Sequence, residues 1–174
     1  MLKLVFAKIT LVYQEDGIIS RFLIMSYENK LNQMGYTLEK VELNLGRLMG
    51  AVRSGNLVYT SGQVSRWGDT QIKGKLGQDL TVEQGYEAAK LCALGCIRAV
   101  HSLVGVENVV RVVKVLGMVN VGPDFTNTPG VIHGASDTFL EVFGEAGRHA
   151  RSAVGMVIPE NYAVEVEAIF EVKP

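Results

Sequence analysis

The stretch that most constrains this chain runs from Thr81 to Gly105. Thr81-Val82-Glu83-Gln84 has the form of a capping box. In that motif the threonine hydroxyl accepts from the backbone N–H three residues on, and the glutamine side chain reaches back to the threonine N–H. Beyond it Val82, Tyr86, Ala89, Ala93, Cys96, Val100 and Leu103 recur at the helical period. Gly105 then supplies a residue that can leave the helix with positive φ. A helix to about Val104 is predicted, and its single apolar stripe must be buried against other elements.

The rest of the chain supplies a sheet. From Ala163, the residues Val164, Val166, Ala168, Phe170 and Val172 alternate with Glu165, Glu167, Ile169 and Glu171, the pattern of a strand buried on one face. Ala51-Val52-Arg53 and Asn56 to Thr60 read as two strands joined by a turn at Ser54-Gly55. Arg111 to Val121 and Ser152 to Ile158 are strand-like. Thr128 and Pro129 form an N-cap and first-turn pair opening a second helix to about Phe143, with Ile132, Ala135, Phe139 and Val142 as its buried stripe. Residues 26–40 suggest a short polar helix carrying Leu31, Met34 and Leu38; Leu45 to Gly50 and Arg66 to Gly77 read as loops. The order β–β–α–β–α–β–β predicts an α+β fold, a mixed β-sheet with two helices packed on one face. Its uncovered face, to which Ile169 and Val58 are assigned, needs burial.

At 174 residues, 48% of them hydrophobic, one domain with a real core is expected. Residues 1–24 read as an N-terminal extension and 25–174 as the domain. The extension is apolar with Lys3 and Lys8, a faint targeting pattern that Glu15 and Asp16 interrupt. A formal charge of −1 gives no broad attraction for nucleic acid, and no nucleic-acid partner is expected. No apolar run reaches the ~18–20 residues of a membrane span, so no membrane association is expected. Cys92 and Cys96, four apart on a helix, are poorly placed to bridge each other, and a reducing, cytoplasmic setting fits them.

Three stretches carry a resemblance: Gly55-Asn56-Leu57-Val58-Tyr59-Thr60-Ser61-Gly62-Gln63, Arg148-His149-Ala150-Arg151-Ser152-Ala153-Val154, and Val164-Glu165-Val166-Glu167-Ala168-Ile169. In order and separation they resemble the signature of the RidA/YjgF family of imine and enamine deaminases, also described as L-PSP endoribonuclease-like. The resemblance covers roughly residues 45–172. It implies a chorismate-mutase-like fold, a homotrimer with sites between subunits, and cofactor-free hydrolysis of 2-imino or enamine compounds to a keto product and ammonia, with no metal. Arg151 stands at the family's arginine position, suited to hold a ligand carboxylate through two parallel hydrogen bonds. Glu165 stands at the carboxylate position, where it can orient water or carry its proton. Groups around Ser61, Gly62 and Ser152 would line the pocket. The chain departs from the family at two pocket positions: Leu48, where members active on small 2-imino acids often carry tyrosine, and His133, where they often carry asparagine.

Blander readings stand beside these. Arg151 could be a strand-edge arginine in a surface ion pair, and Glu165 a solvent-facing residue like Glu167 and Glu171. Ser61 lacks the G-x-S-x-G setting of a nucleophile and suits a pocket or turn hydrogen bond. His133 and Asp137, four apart, could form an acid–base pair or an ordinary intrahelical contact. Cys92 and Cys96 lack the companions of a metal site and suit core packing. His101 receives no role, and Trp67 suits a lid or a subunit contact. Alternative functions are a non-enzymatic binder of small carboxylates, a trimeric regulatory protein, and an endoribonuclease, which lacks support from any basic aromatic stripe.

Overall fold

The computed structural model describes residues 25–174; the reading of 1–24 as an extension lies outside the described residues. Helix α1 (Tyr27–Gln33) is capped by Ser26. Strands β1 (Ala51–Ser54) and β2 (Leu57–Thr60) form a hairpin, followed by the two-residue strands β3 (Gln63–Val64), β4 (Arg66–Trp67) and β5 (Thr70–Gln71). Then come α2 (Val82–Val104), β6 (Val109–Asn120), α3 (Thr128–Phe143), β7 (Ala150–Met156) and β8 (Val164–Val172). The main sheet runs β1-β2-β8-β6-β7, with β3 extending the pairing of β8 beyond β2. Only β6 and β7 are parallel; the chain passes between them through α3. This is the α+β architecture predicted, a mixed sheet with α2 and α3 on one face.

Local chemistry explains the boundaries. Both halves of the capping box form: the Gln84 N–H donates to Thr81 Oγ1 and the Thr81 N–H to Gln84 Oε1. Gly105 ends α2 with φ 84°. The second helix departs from expectation at its start. Asn127, not Thr128, is the N-cap, accepting from the Gly130 N–H; Thr128 lies inside the first turn and donates its hydroxyl to the Ala153 carbonyl. The first helix is shorter than predicted. Gly35, at φ 87°, turns the chain out, and Leu38 is buried from an irregular segment. The β1–β2 turn is Gly55-Asn56, because Ser54 already pairs with Leu57. The loop at 66–77 contains the β4–β5 hairpin and a fully buried Leu76. Trp67 there packs edge-on against Tyr36 and under the Arg98 guanidinium, 4.7 Å from its ring.

The core lies between helices and sheet. Phe170 of β8 meets Phe139 and Phe143 of α3 in edge-to-face contacts of 5.7 and 6.2 Å. Burying side chains of this size stabilises the fold by roughly 1.5–3 kcal/mol each. Cys92 and Cys96 are buried and donate weakly to the Val164 and Val166 carbonyls. Val58 is fully buried opposite Phe170 and therefore faces the helices, not the open side. Tyr59 takes the open side instead, beside Ile169.

The helices cross closely at Gly134, where an added Cβ would run into the Tyr86 carbonyl oxygen. The obstacle is backbone, so α2 and α3 would have to separate. Gly134→Ala is therefore expected to destabilise by at least about 1 kcal/mol, despite alanine's better helix propensity. Thermal melts check this: a loss of at least ~2 °C is expected for a domain of this size, and an unchanged midpoint would contradict the crossing.

Candidate functional site

Arg151 lies on β7, an edge strand, in register with the fully buried Val115 of β6. Its side chain therefore leaves the sheet on the helix-covered side and meets α3. There His133, Ser136, Asp137 and Leu140 share one face at helical spacing. Arg151 Nη1 donates to Ser136 Oγ at 3.0 Å and lies 3.4 Å from His133 Nδ1. Ser136 Oγ is 3.1 Å from His149 Nε2, and His149 Nδ1 is 2.6 Å from the Gly147 carbonyl. Together with Arg148 these residues line a shallow cleft of about 300 Å³. Asp137 accepts from the Tyr86 hydroxyl at 2.9 Å and makes no hydrogen bond to His133 among the described residues. Arg151 forms no ion pair among the described residues. Burial pushes the His149 pKa below the ordinary histidine value against the opposing pull of the Gly147 hydrogen bond, with the Arg151 charge adding a smaller lowering.

Glu165 lies elsewhere. It is in register with Met118 of β6 and Val64 of β3. Met118 has the opposite parity to Val115, so Glu165 projects from the open face. Gly62 sits directly beneath it: a Cβ at position 62 would collide with the Glu165 carboxylate. Burial first and the Glu167 charge second raise the Glu165 pKa. Ser61 donates its hydroxyl to the Met49 carbonyl at 2.6 Å, tying the 44–49 turn to the end of β2. Leu48 is 53% exposed in that turn. Ser152, in register with Leu116, is on the open face too, and accepts from Lys114 Nζ at 3.0 Å.

The predicted residues thus fall into two groups within one chain. Arg151 joins His133 on the helix side. Glu165 joins Gly62, beside Ser61, on the open side, with Ser152 further along that face. A guanidinium without a carboxylate partner can accept a ligand carboxylate, and a carboxyl held toward its protonated form can exchange protons nearer neutral pH. Among the described residues no group of three or more His, Cys, Asp or Glu could hold a metal ion. Sequence reading missed Ser136, His149 and Lys114. For the first two a signal existed: His149 and Arg151 are two apart at a strand start, and Ser136 is one helical turn from His133.

Burial and Glu167 both oppose ionisation of Glu165, so the folded chain holds that proton to a higher pH than the unfolded chain does. Stability from this group therefore falls as pH rises from the ordinary carboxyl range through the raised value, then levels off. Glu165→Gln should flatten that segment of a stability–pH curve, and Glu167→Gln should lower the Glu165 midpoint read by carboxyl NMR. An unmoved midpoint would show that the two carboxylates do not interact.

A family model described as "YjgF/chorismate mutase-like, putative endoribonuclease" matches residues 28–171. Protein TCP17 of Trypanosoma cruzi is 40% identical over 146 residues, 81% of this chain and 91% of that protein. The structure of Atu1372 from Agrobacterium tumefaciens, titled as of unknown function, shares 36% identity at a TM-score of 0.77, covering 84% of this chain and 92% of that one. A "putative endoribonuclease" from Shewanella oneidensis MR-1 shares 32% identity at a TM-score of 0.79, covering 85% of this chain and all of that one. The matched segment spans both residue groups and every strand of the main sheet but for the last residue of β8, and on that agreement of sequence and fold the chain belongs to the YjgF/chorismate mutase-like family.

Proposed function

We propose that the protein hydrolyses small 2-imino or enamine compounds that carry a carboxylate, releasing a keto product and ammonia. The observation that carries this reading is Arg151: held by Ser136 in a cleft, with no acidic partner among the described residues, it is available to a ligand anion. An enamine first moves a proton from nitrogen to the neighbouring carbon to become the imine; water then adds through oxygen to the C=N carbon, giving up one proton as nitrogen takes one up. The resulting carbinolamine then collapses: the C–N bond breaks, a proton passes from the hydroxyl to nitrogen, and ammonia leaves. Glu165, with its raised pKa, suits that proton movement.

The two groups lie on opposite faces of one protomer's sheet, so a shared substrate calls for a second copy of the chain. The open face invites one. Val52, Tyr59, Val154 and Met156 are exposed there beside the half-buried Leu116, Met118 and Ile169. An apolar surface of this kind is a usual mark of an association site. We take the assembly to be a homotrimer with sites between subunits, which light scattering on a sizing column checks; a monomer mass at micromolar concentration would contradict it. The same separation favours, as a second reading, a binder of small carboxylates that uses Arg151 alone.

A 2-imino acid generated in situ distinguishes the two, since only the enzyme speeds its loss. Arg151→Ala is expected to abolish hydrolysis with folding and assembly kept, and lysine to rescue poorly because an ammonium cannot make the planar two-point clamp. Glu165→Gln is expected to slow turnover with little change in ligand binding. Full activity in Arg151→Ala would refute the assignment.

A further inference from the structure

We propose that His149 is a positioning residue for Arg151, acting through the Ser136 hydroxyl; the inference rests on the reading of Arg151 as the carboxylate-binding group. The Gly147 carbonyl can only accept, so His149 Nδ1, 2.6 Å away, carries the proton and donates. In the neutral ring Nε2 is then an acceptor, and the group beside it at 3.1 Å is Ser136 Oγ. The Ser136 O–H therefore points to the histidine. Its lone pairs are left for the Arg151 Nη1–H, 3.0 Å away. One polarity runs the length of the chain: arginine to serine, serine to histidine, histidine to carbonyl.

The far end of this relay is anchored. Gly147 lies in a 3₁₀ turn pressed on α3, where a Cβ would meet the Phe139 carbonyl oxygen, so glycine is needed to bring its own carbonyl to the ring. The His149 ring also packs edge-on against the fully buried Phe139, 5.7 Å between centroids. The charged and titratable groups around it are Arg151 on β7, His133 and Asp137 on α3, Arg148, which is tied to Glu145, and, in the neighbouring cavity that His149 also lines, Arg111 on β6 and Glu171 on β8. Burial and, less strongly, Arg151 favour the neutral ring that the relay requires and outweigh the Gly147 hydrogen bond, which favours the protonated ring.

Substitutions separate positioning from bulk. Glutamine at 149 can place its amide oxygen where Nε2 stands and keep the serine oriented. Asparagine can reach only toward the Gly147 carbonyl, and phenylalanine offers no acceptor. Pyruvate serves as a non-reacting carboxylate probe, its binding followed by NMR titration of the full-length protein. His149→Gln is expected to bind within about threefold of wild type, and His149→Asn, His149→Phe and Ser136→Ala about tenfold more weakly, the scale of one lost hydrogen bond. Nitrogen-15 spectra of the histidine ring are expected to show the Nδ1–H tautomer, with an Nε2 signal that moves in Ser136→Ala. Pyruvate binding that is lost in Arg151→Ala yet unchanged in both His149→Phe and Ser136→Ala overturns the positioning role alone. So does an Nε2–H tautomer, or an equal loss in His149→Gln and His149→Phe. No pyruvate binding by wild type, or equal binding by Arg151→Ala, overturns the carboxylate site itself and with it the role of His149.

Discussion

The close crossing of α2 and α3 governs the rest of the molecule. It exists because position 134 has no side chain, which lets α3 rest on the backbone of α2 at Tyr86. With α3 at that distance, Phe139 and Phe143 reach Phe170 of β8, and the helix layer closes over the sheet. The same placement brings Ser136 to Arg151 and Phe139 to His149. The core and the cleft depend on one helix position, so a shift of α3 disturbs packing and site together.

The sheet imposes the second constraint. Strand side chains alternate faces, so register assigns each residue to a side. Val115 and Met118, three apart on β6, carry Arg151 and Glu165 to opposite faces. The two faces differ in character. The helix side is a packed apolar interior with a polar cleft at its β7 edge. The open side mixes exposed apolar side chains with Glu165, Glu167 and the Lys114–Ser152 contact. The Glu165 pKa is raised there because the carboxyl is half-buried and lies beside the Glu167 carboxylate; the missing side chain at Gly62 leaves the space it occupies.

Much of the fold was legible because it rests on local rules. The capping box at Thr81 and Gln84, the alternation of β8 and the stripe of α3 each need only a few neighbouring residues. The misreadings arose where local signals compete. Thr128 before Pro129 resembles an N-cap, but Asn127 has the side chain that reaches the Gly130 N–H, and the Thr128 hydroxyl donates to the Ala153 carbonyl on β7. Local pattern puts Val58 on the wrong face because a four-residue strand has too few alternations to show which parity is buried; its partner Phe170 decides that. Leu38 has helical spacing from Leu31 and Met34, yet Gly35 breaks the run and tertiary packing buries Leu38 all the same.

The sequence by itself determined the order of the long strands and helices, the buried faces of β8 and α3, and the three motifs that name the family, because periodicity and capping are short-range and motifs are linear; on α2 it showed one stripe, where packing from two sides also buries Leu91, Leu94 and Ile97. Only the tertiary structure decided the company each site residue keeps. That His133 and Ser136, rather than Glu165, surround Arg151 follows from which strand lies at the sheet edge and which residue of β6 each neighbour faces. That His149 stands behind Ser136 follows from a turn at Gly147 pressed against a helix closed by a glycine at 134. These relations are set by packing distance and register, which the short spacings of His149 to Arg151 and of His133 to Ser136 hint at but cannot fix.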